Sequence, residues 1–474
     1  MRFGRTAAAY FASQVALSLA GFLATFFIAR LLGAAALGTY TVAVAVLFWL
    51  KVPTNGITAA INKRVSEGVD RGAYVGGGLG LSIAVAGAIS VLVLAFGGYV
   101  DRYVGAGVSG LIVVLYIANV LFDGVSASLK GQKKVAHAGG VSVVERVGRL
   151  LAQVGVILLG YEVAGLVVGH AISLFVAAML GLALFDVRPR LPTRDQLASL
   201  FDYGRYSWLG SLQSQMFGWM DTTVLAFFVA TSLIGIYEVA WTLASTLTLI
   251  STAVQQTLFP ELSDLGTDDR HERIHHFLNE GLVFTGIFVI PGLVGALILG
   301  PRLLRIYRPE FSQGATILVI LIAARGVAAF GSQFVSGINA LDRPDVAFTI
   351  NGAFVLTNLS LNVVLIRAFG WYGAAVATAL SACLLTVLAY YGLSGLIGRP
   401  SIPAREIGLQ FVAALAMALV IYGLQTITPS THYTTVGLVV AGAVTYVALL
   451  VGLSPRVRKK AVALVPLSDR FALT

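Results

Sequence analysis

Polar residues divide this chain into fourteen long apolar runs, at about 7–30, 37–60, 75–99, 109–129, 138–160, 163–185, 206–230, 233–257, 279–300, 314–336, 345–367, 371–396, 405–425 and 433–453. Each is long enough to cross a hydrocarbon core of about 30 Å as a helix of roughly 20 residues. The runs are continuous, without the alternation of barrel strands, so they predict helices whose backbone groups are satisfied internally. Ala34-Ala35-Ala36 after the first run could be a cleavage site, but that run is longer than a signal-peptide core and is read as a retained anchor. The linking segments are short, and the longest are 186–205 and 258–278. In the former, Thr193-Arg194-Asp195-Gln196 reads as a capping box opening a short helix, with Leu197, Leu200 and Phe201 on one face. That pattern predicts an amphipathic linker lying in the headgroup region.

Charge gives the orientation. With the N-terminus inside, 25 of the 32 Lys and Arg residues fall on inner segments and 6 on outer ones, with Arg325 inside a span. The bias predicts cytoplasmic termini and an even number of spans. It also accounts for the formal net charge of +10 without nucleic acid. Composition agrees: 57% of residues are apolar and 11% charged, against about 25% charged in soluble domains. The mean hydropathy is +0.87. Soluble globular and disordered classes are excluded. The single Cys383 rules out an intrachain disulfide or a cysteine metal site.

The chain repeats itself. Gly38-Thr39-Tyr40-Thr41-Val42-Ala43 returns 197 positions later as Gly235-Ile236-Tyr237-Glu238-Val239-Ala240, each opening a helix. A weaker echo links Leu158–Ser173 with Ile366–Ser381. Six helices separate the copies, so the halves point the same way, related by an axis along the membrane normal. The predicted division is 1–185 as an N-lobe of helices 1–6, 186–205 as a cytoplasmic amphipathic linker, 206–396 as a C-lobe of helices 7–12, and 397–474 as helices 13–14 with a basic cytoplasmic tail.

Several of these motifs resemble the polysaccharide-exporter (Wzx-type, O-antigen flippase) branch of the MOP superfamily. They are Arg30-Leu31-Leu32-Gly33 leading to Leu37-Gly38-Thr39-Tyr40, Asp221 followed by Gly235-Ile236-Tyr237-Glu238-Val239-Ala240, Lys130-Gly131-Gln132, Phe259-Pro260-Glu261-Leu262 and Gly373-Ala374-Ala375-Val376-Ala377. Their order carries the resemblance over almost the whole chain. It implies an all-α polytopic membrane protein of about 14 transmembrane helices in two pseudo-symmetric MATE-like lobes. The implied function is movement of a lipid-linked oligosaccharide or polysaccharide precursor from the cytoplasmic to the outer leaflet, through a cavity lined chiefly by helices 1, 2, 7 and 8. The implied partners are a glycan on a polyprenyl or dolichyl phosphate carrier and membrane lipids. The implied place is the cell membrane, as a monomer.

A flippase must shelter a sugar-phosphate headgroup, which calls for polar stripes inside apolar helices. Helix 7 offers Ser211, Ser214, Gln215 and Asp221, helix 8 Thr242, Ser245 and Thr248, helix 1 Gln14, and helix 11 Asn351, Asn358 and Asn362. Such residues also serve as interhelical hydrogen-bond partners. Charges inside spans carry more weight because burying them in lipid is costly. Arg325 fits a substrate phosphate or a structural partner for Asp123 or Asp221. Asp221, Asp123 and Glu238 are candidate coupling carboxylates for Na⁺ or H⁺, and no other cofactor is expected. Outer Arg302, Arg305 and Arg308 fit lipid phosphates or an exported headgroup.

His271-Glu272-Arg273-Ile274-His275 matches the H-E-x-x-H zinc-protease pattern, but in a charged loop with no sheltered cleft it reads as a solvated helix and predicts no metal. Transport, not catalysis, is therefore expected. A MATE-type multidrug or cation antiporter is the alternative; helix 1 lacks the acid that such exporters often carry, while Asp221 and Glu238 keep it open. A glycan polymerase or ligase is a weaker alternative, because the outer loops are short.

Overall fold

The computed structural model describes residues 18–263 and 270–458; within these, the side chains at 206, 208–217, 249–263, 270–273, 276 and 277 are left undescribed. The apolar runs fold as helices, the form that satisfies each backbone group in lipid within its own segment. In order they are α1 (Ser18–Leu32), α2 (Ala34–Leu50), α3 (Val52–Ser66), α4 (Arg71–Ala95), α5 (Gly97–Val104), α6 (Ser109–Gly131), α7 (Val135–Leu158), α8 (Val163–Ala183), α9 (Arg194–Phe228), α10 (Thr231–Ser263), α11 (Arg270–Arg305), α12 (Ala315–Ala340), α13 (Pro344–Phe369), α14 (Trp371–Ile397), α15 (Ala404–Ile427) and α16 (His432–Leu453). A 3₁₀ turn at Pro309–Gly314 precedes α12. Among the described residues there is no strand. Nine helices there are long and apolar enough to cross a membrane, and the bent pair α2–α3 makes a tenth.

Three boundaries depart from the sequence reading. The predicted helix at 37–60 is two helices, bent by 56° at Lys51. Pro53 stands in the first turn of α3, where it cannot donate to the carbonyl four residues back and its ring clashes there. The capping box forms as predicted, with Gln196 N donating to Thr193 Oγ1 and Thr193 N to Gln196 Oε1. The helix it opens does not stop, however, and α9 runs 35 residues through the predicted seventh span. The long segment expected at 258–278 shrinks in the same way, since α10 reaches Ser263 and α11 starts at Arg270.

The turns carry the repeat further than the hexamers do. Lys133 after α6 and Asp342 after α12 are both left-handed, at φ 63° and 56°. Gly160 after α7 and Gly370 after α13 are left-handed too, at 85° and 58°. Each pair is 209 or 210 positions apart, so corresponding helices end with the same backbone reversal.

The described chain separates into two compact units. The first holds residues through Val239 together with Leu359–Ala374. Its packing centres on Ile57, Ala60, Ile61 and Val65 of α3 against Val75, Ala127 and Leu200. There α3 and α9 cross at Gly56 and Gly204; a Cβ on Gly56 would stand 2.3 Å from the Gly204 carbonyl oxygen. The second unit holds Ala240–Asn358 and residues from Ala375 on. In it Ile290 and Val294 of α11 pack with Met417 and Ile421 of α15 and with Leu438 and Tyr446 of α16.

Candidate functional site: buried charge within the spans

The two copies of the repeated hexamer meet inside the first unit. A Cβ on Gly38 would stand 1.7 Å from the Thr231 carbonyl oxygen, and one on Gly235 would stand 2.0 Å from that of Ala34. Only glycine permits this crossing, and it brings the first turns of α2 and α10 together. Two residues after each glycine is a tyrosine, and each tyrosine bonds a buried ionisable group. Tyr237 Oη donates to Asp221 Oδ2 at 2.5 Å, and Asn362 Nδ2 donates to Asp221 Oδ1 at 2.9 Å. Asp221 is only 8% exposed and Asn362 fully buried. A carboxylate held by two donors is fixed in place and keeps lone pairs for a cation.

Tyr40 answers on the other copy. Its Oη lies 3.0 Å from His170 Nδ1 on α8, and Arg149 Nη1 of α7 lies 3.0 Å from His170 Nε2. A guanidinium only donates, so Nε2 accepts and the ring proton sits on Nδ1, pointing to Tyr40. This assigns the neutral tautomer from the hydrogen-bond geometry. Glu145 Oε1 completes the array, 3.4 Å from Arg149 Nε. All three of Tyr40, Glu145 and His170 are buried.

At the α2–α3 bend, Lys51 pairs with Asp123 of α6 at 2.7 Å and stands 5.1 Å from the Phe48 ring centre. Phe48 stacks on Trp219 of α9 at 4.5 Å, and Trp49 Nε1 donates to Thr223 Oγ1 at 2.7 Å. In the second unit, Arg325 of α12 lies 5.0 Å over the Trp241 ring, with Nη2 3.4 Å from Thr248 Oγ1. A guanidinium on an indole face is a cation–π pair that keeps part of its fork for hydrogen bonding.

Comparison with known proteins gives these charges a setting. A family model described as a polysaccharide biosynthesis protein matches residues 80–307. The chain is 32% identical to the probable flippase AglR of Haloferax volcanii over 465 residues, 97% of this chain and 98% of that one. The chain belongs to the polysaccharide-biosynthesis flippases. It is also 28% identical to the probable low-salt glycan biosynthesis flippase Agl15 of the same organism over 408 residues, 86% of each chain. Its fold is that of the lipid II flippase MurJ in an inward-closed conformation, with a TM-score of 0.78, 15% identity, and coverage of 93% of this chain and 98% of that one.

In this flippase the residues singled out in the sequence fall into separate places. Asp221 joins Tyr237 and Asn362 in the first unit, where Asp123 is paired with Lys51. Arg325, Thr242, Ser245 and Asn358 lie in the second unit. Thr242 and Ser245 are half-buried, and the Ser245 Oγ has no hydrogen-bond partner among the described residues. Asn358 is buried, one turn before Asn362 on α13. Glu238 is half-buried on α10. Gln14 lies outside the described residues, and so do the side chains of Ser211, Ser214 and Gln215. Two outlying arginines have structural partners. Arg302 Nη2 donates to the Gln425 carbonyl at 3.0 Å, at the C-terminal end of α15. Arg456, at the start of the basic tail, pairs with Glu280.

The sequence reading missed the Tyr40–His170–Arg149–Glu145 array. Arg146 and Arg149 were counted with the lysines at 130–134 as inner charges, yet α7 carries them 11 and 14 positions past Val135. The available signal was Glu145 and Arg149 at i, i+4 inside an apolar run, followed by a histidine in the next.

Proposed function

We infer that this protein is a flippase that carries a lipid-linked oligosaccharide or polysaccharide precursor across the membrane. It is a transporter, not an enzyme. The observation that carries the reading is 32% identity, over nearly the whole length of both chains, to the probable flippase AglR. The matching polysaccharide biosynthesis family supports the glycan as cargo. Ionisable side chains buried within membrane-crossing helices fit it, since such groups are costly unless they serve transport or one another.

About fourteen spans form two similarly oriented lobes, 1–185 and 206–396, with 397–474 adding the last two helices and the tail. The repeated hexamers and the repeated left-handed turns support this division. The protein works as a monomer in the cell membrane with both termini cytoplasmic, as the Lys and Arg bias favours. Alternating access moves the headgroup while the polyprenyl or dolichyl tail stays in lipid. Arg325, Thr242, Ser245 and Asn358 line the headgroup path, with Gln14, Ser211 and Gln215. Arg325 meets phosphate, for which a guanidinium fork is well shaped. Asp221 binds the coupling Na⁺ or H⁺, and Asp123 and Glu238 are the lesser candidates. A multidrug or cation antiporter would rest on Asp221 and Glu238 alone.

Deleting the gene tests the function. Lipid-linked glycan should accumulate on the cytoplasmic leaflet and be cleared by the wild-type copy. A deletion strain with normal glycan export and no accumulation would overturn the reading.

A further inference from the structure

The two tyrosines of the repeat sit in settings of opposite charge. Tyr237 faces a carboxylate, Asp221, whereas Tyr40 faces His170 with the Arg149 guanidinium behind it. One turn before Arg149 on α7 stands Arg146. It is half-buried, and its guanidinium makes no hydrogen bond or ion pair among the described residues. Eleven residues at 1.5 Å each set it about 16 Å along α7 from its first residue, well away from either end of the helix. A cation drawn out of water there needs an anion. Among the described residues the carboxylate beside the two guanidiniums is Glu145, and it is engaged by Arg149. With His170 neutral, this group of side chains carries a formal charge of +1.

We propose that Arg146 and Arg149, backed by His170 and Tyr40, form an anion site for the phosphate or pyrophosphate of the lipid carrier. Arg146 meets the incoming phosphate first. Arg149, already oriented by His170 and Glu145, supplies the second fork, and two guanidiniums on one helical face suit the oxygens of a single phosphate. Glu145 is the resident counter-ion that the phosphate competes with. The first half of the repeat thus binds an anion where the second half holds a carboxylate. The proposal rests on the flippase reading and adds to it a second phosphate contact besides Arg325, in the other unit.

The test uses the full chain in nanodiscs of uncharged phosphatidylcholine, titrated with a C20 prenyl pyrophosphate, with the matching prenol and with inorganic pyrophosphate. Prenyl pyrophosphate should bind and prenol should not. Arg146→Gln, which breaks no bond among the described residues, should weaken binding roughly 10- to 100-fold, the loss of a charge-assisted contact. Arg146→Lys should recover part of that affinity, and Glu145→Gln should tighten binding. Unchanged prenyl pyrophosphate affinity in a folded Arg146→Gln protein would overturn the proposal, as would equal binding of prenol. Inorganic pyrophosphate binding that depends on Arg146, with no binding of the prenyl form, would assign the site to a free anion and overturn the lipid assignment. Each of these results leaves the flippase reading intact, because glycan accumulation on deletion is scored separately.

Discussion

At the residue scale, the informative side chains are those that lipid would not tolerate without a reason. Asp221 is held on both carboxylate oxygens, by the Tyr237 hydroxyl and the Asn362 amide, so its position owes little to chance. Asp221→Asn is similar in size and removes the charge; its amide oxygen still accepts from Asn362, and its NH2 donates to a Tyr237 hydroxyl that turns to accept. If the carboxylate binds the coupling cation, flipping in proteoliposomes should fall at least tenfold and stop responding to steps in Na⁺ or pH. Folding should survive, because removing a buried charge also removes its desolvation cost. A variant that keeps wild-type flipping and cation response would take Asp221 out of the mechanism. Asp221 was legible because a lone acid stands out in an apolar run. Arg149 and His170 were not, because a basic stretch upstream disguised the first and a histidine alone in a span has no sequence-level partner.

At the element scale, glycines set how closely helices approach. Gly38 and Gly235 are each other's neighbours, and any Cβ at either would overlap a backbone carbonyl on the facing helix. Gly38→Ala should therefore destabilise the first unit by about 1–3 kcal/mol or more, as overpacking does. Gly80→Ala on α4, where a Cβ meets nothing within 4 Å, should leave stability unchanged. Thermal melts of the two variants in detergent check this, and equal melting temperatures would contradict the close crossing. Helix ends were mostly legible: the last four spans, α13 to α16, lie within two residues of their predicted limits. The bend at Lys51 was legible in principle from Pro53, but hydropathy averages across it. The length of α9 was hidden, because a polar amphipathic start and an apolar continuation look like separate elements.

At the scale of the whole molecule, alternating access predicts that positions on the headgroup path change sides. Thr242→Cys in a Cys383→Ala background offers one reporter, since Cys383 is the only native thiol. A membrane-impermeant maleimide should label it from one face only, and lipid-linked substrate should change the rate by more than threefold. Equal labelling from both faces, indifferent to substrate, would contradict a gated path. The sequence alone determined that the chain lives in lipid, that it is helical, that it repeats, and which family it belongs to. Those properties follow from composition, from run length and from motif order, all of which are local or periodic. Only the tertiary structure decided which side chains share a site. Tyr40 and His170 are 130 positions apart and Asp221 and Asn362 are 141 apart, and both meetings depend on helix crossings. Those crossings are set by the absence of a side chain at Gly38 and Gly235, and a missing Cβ shows its purpose only when the facing helix is in place.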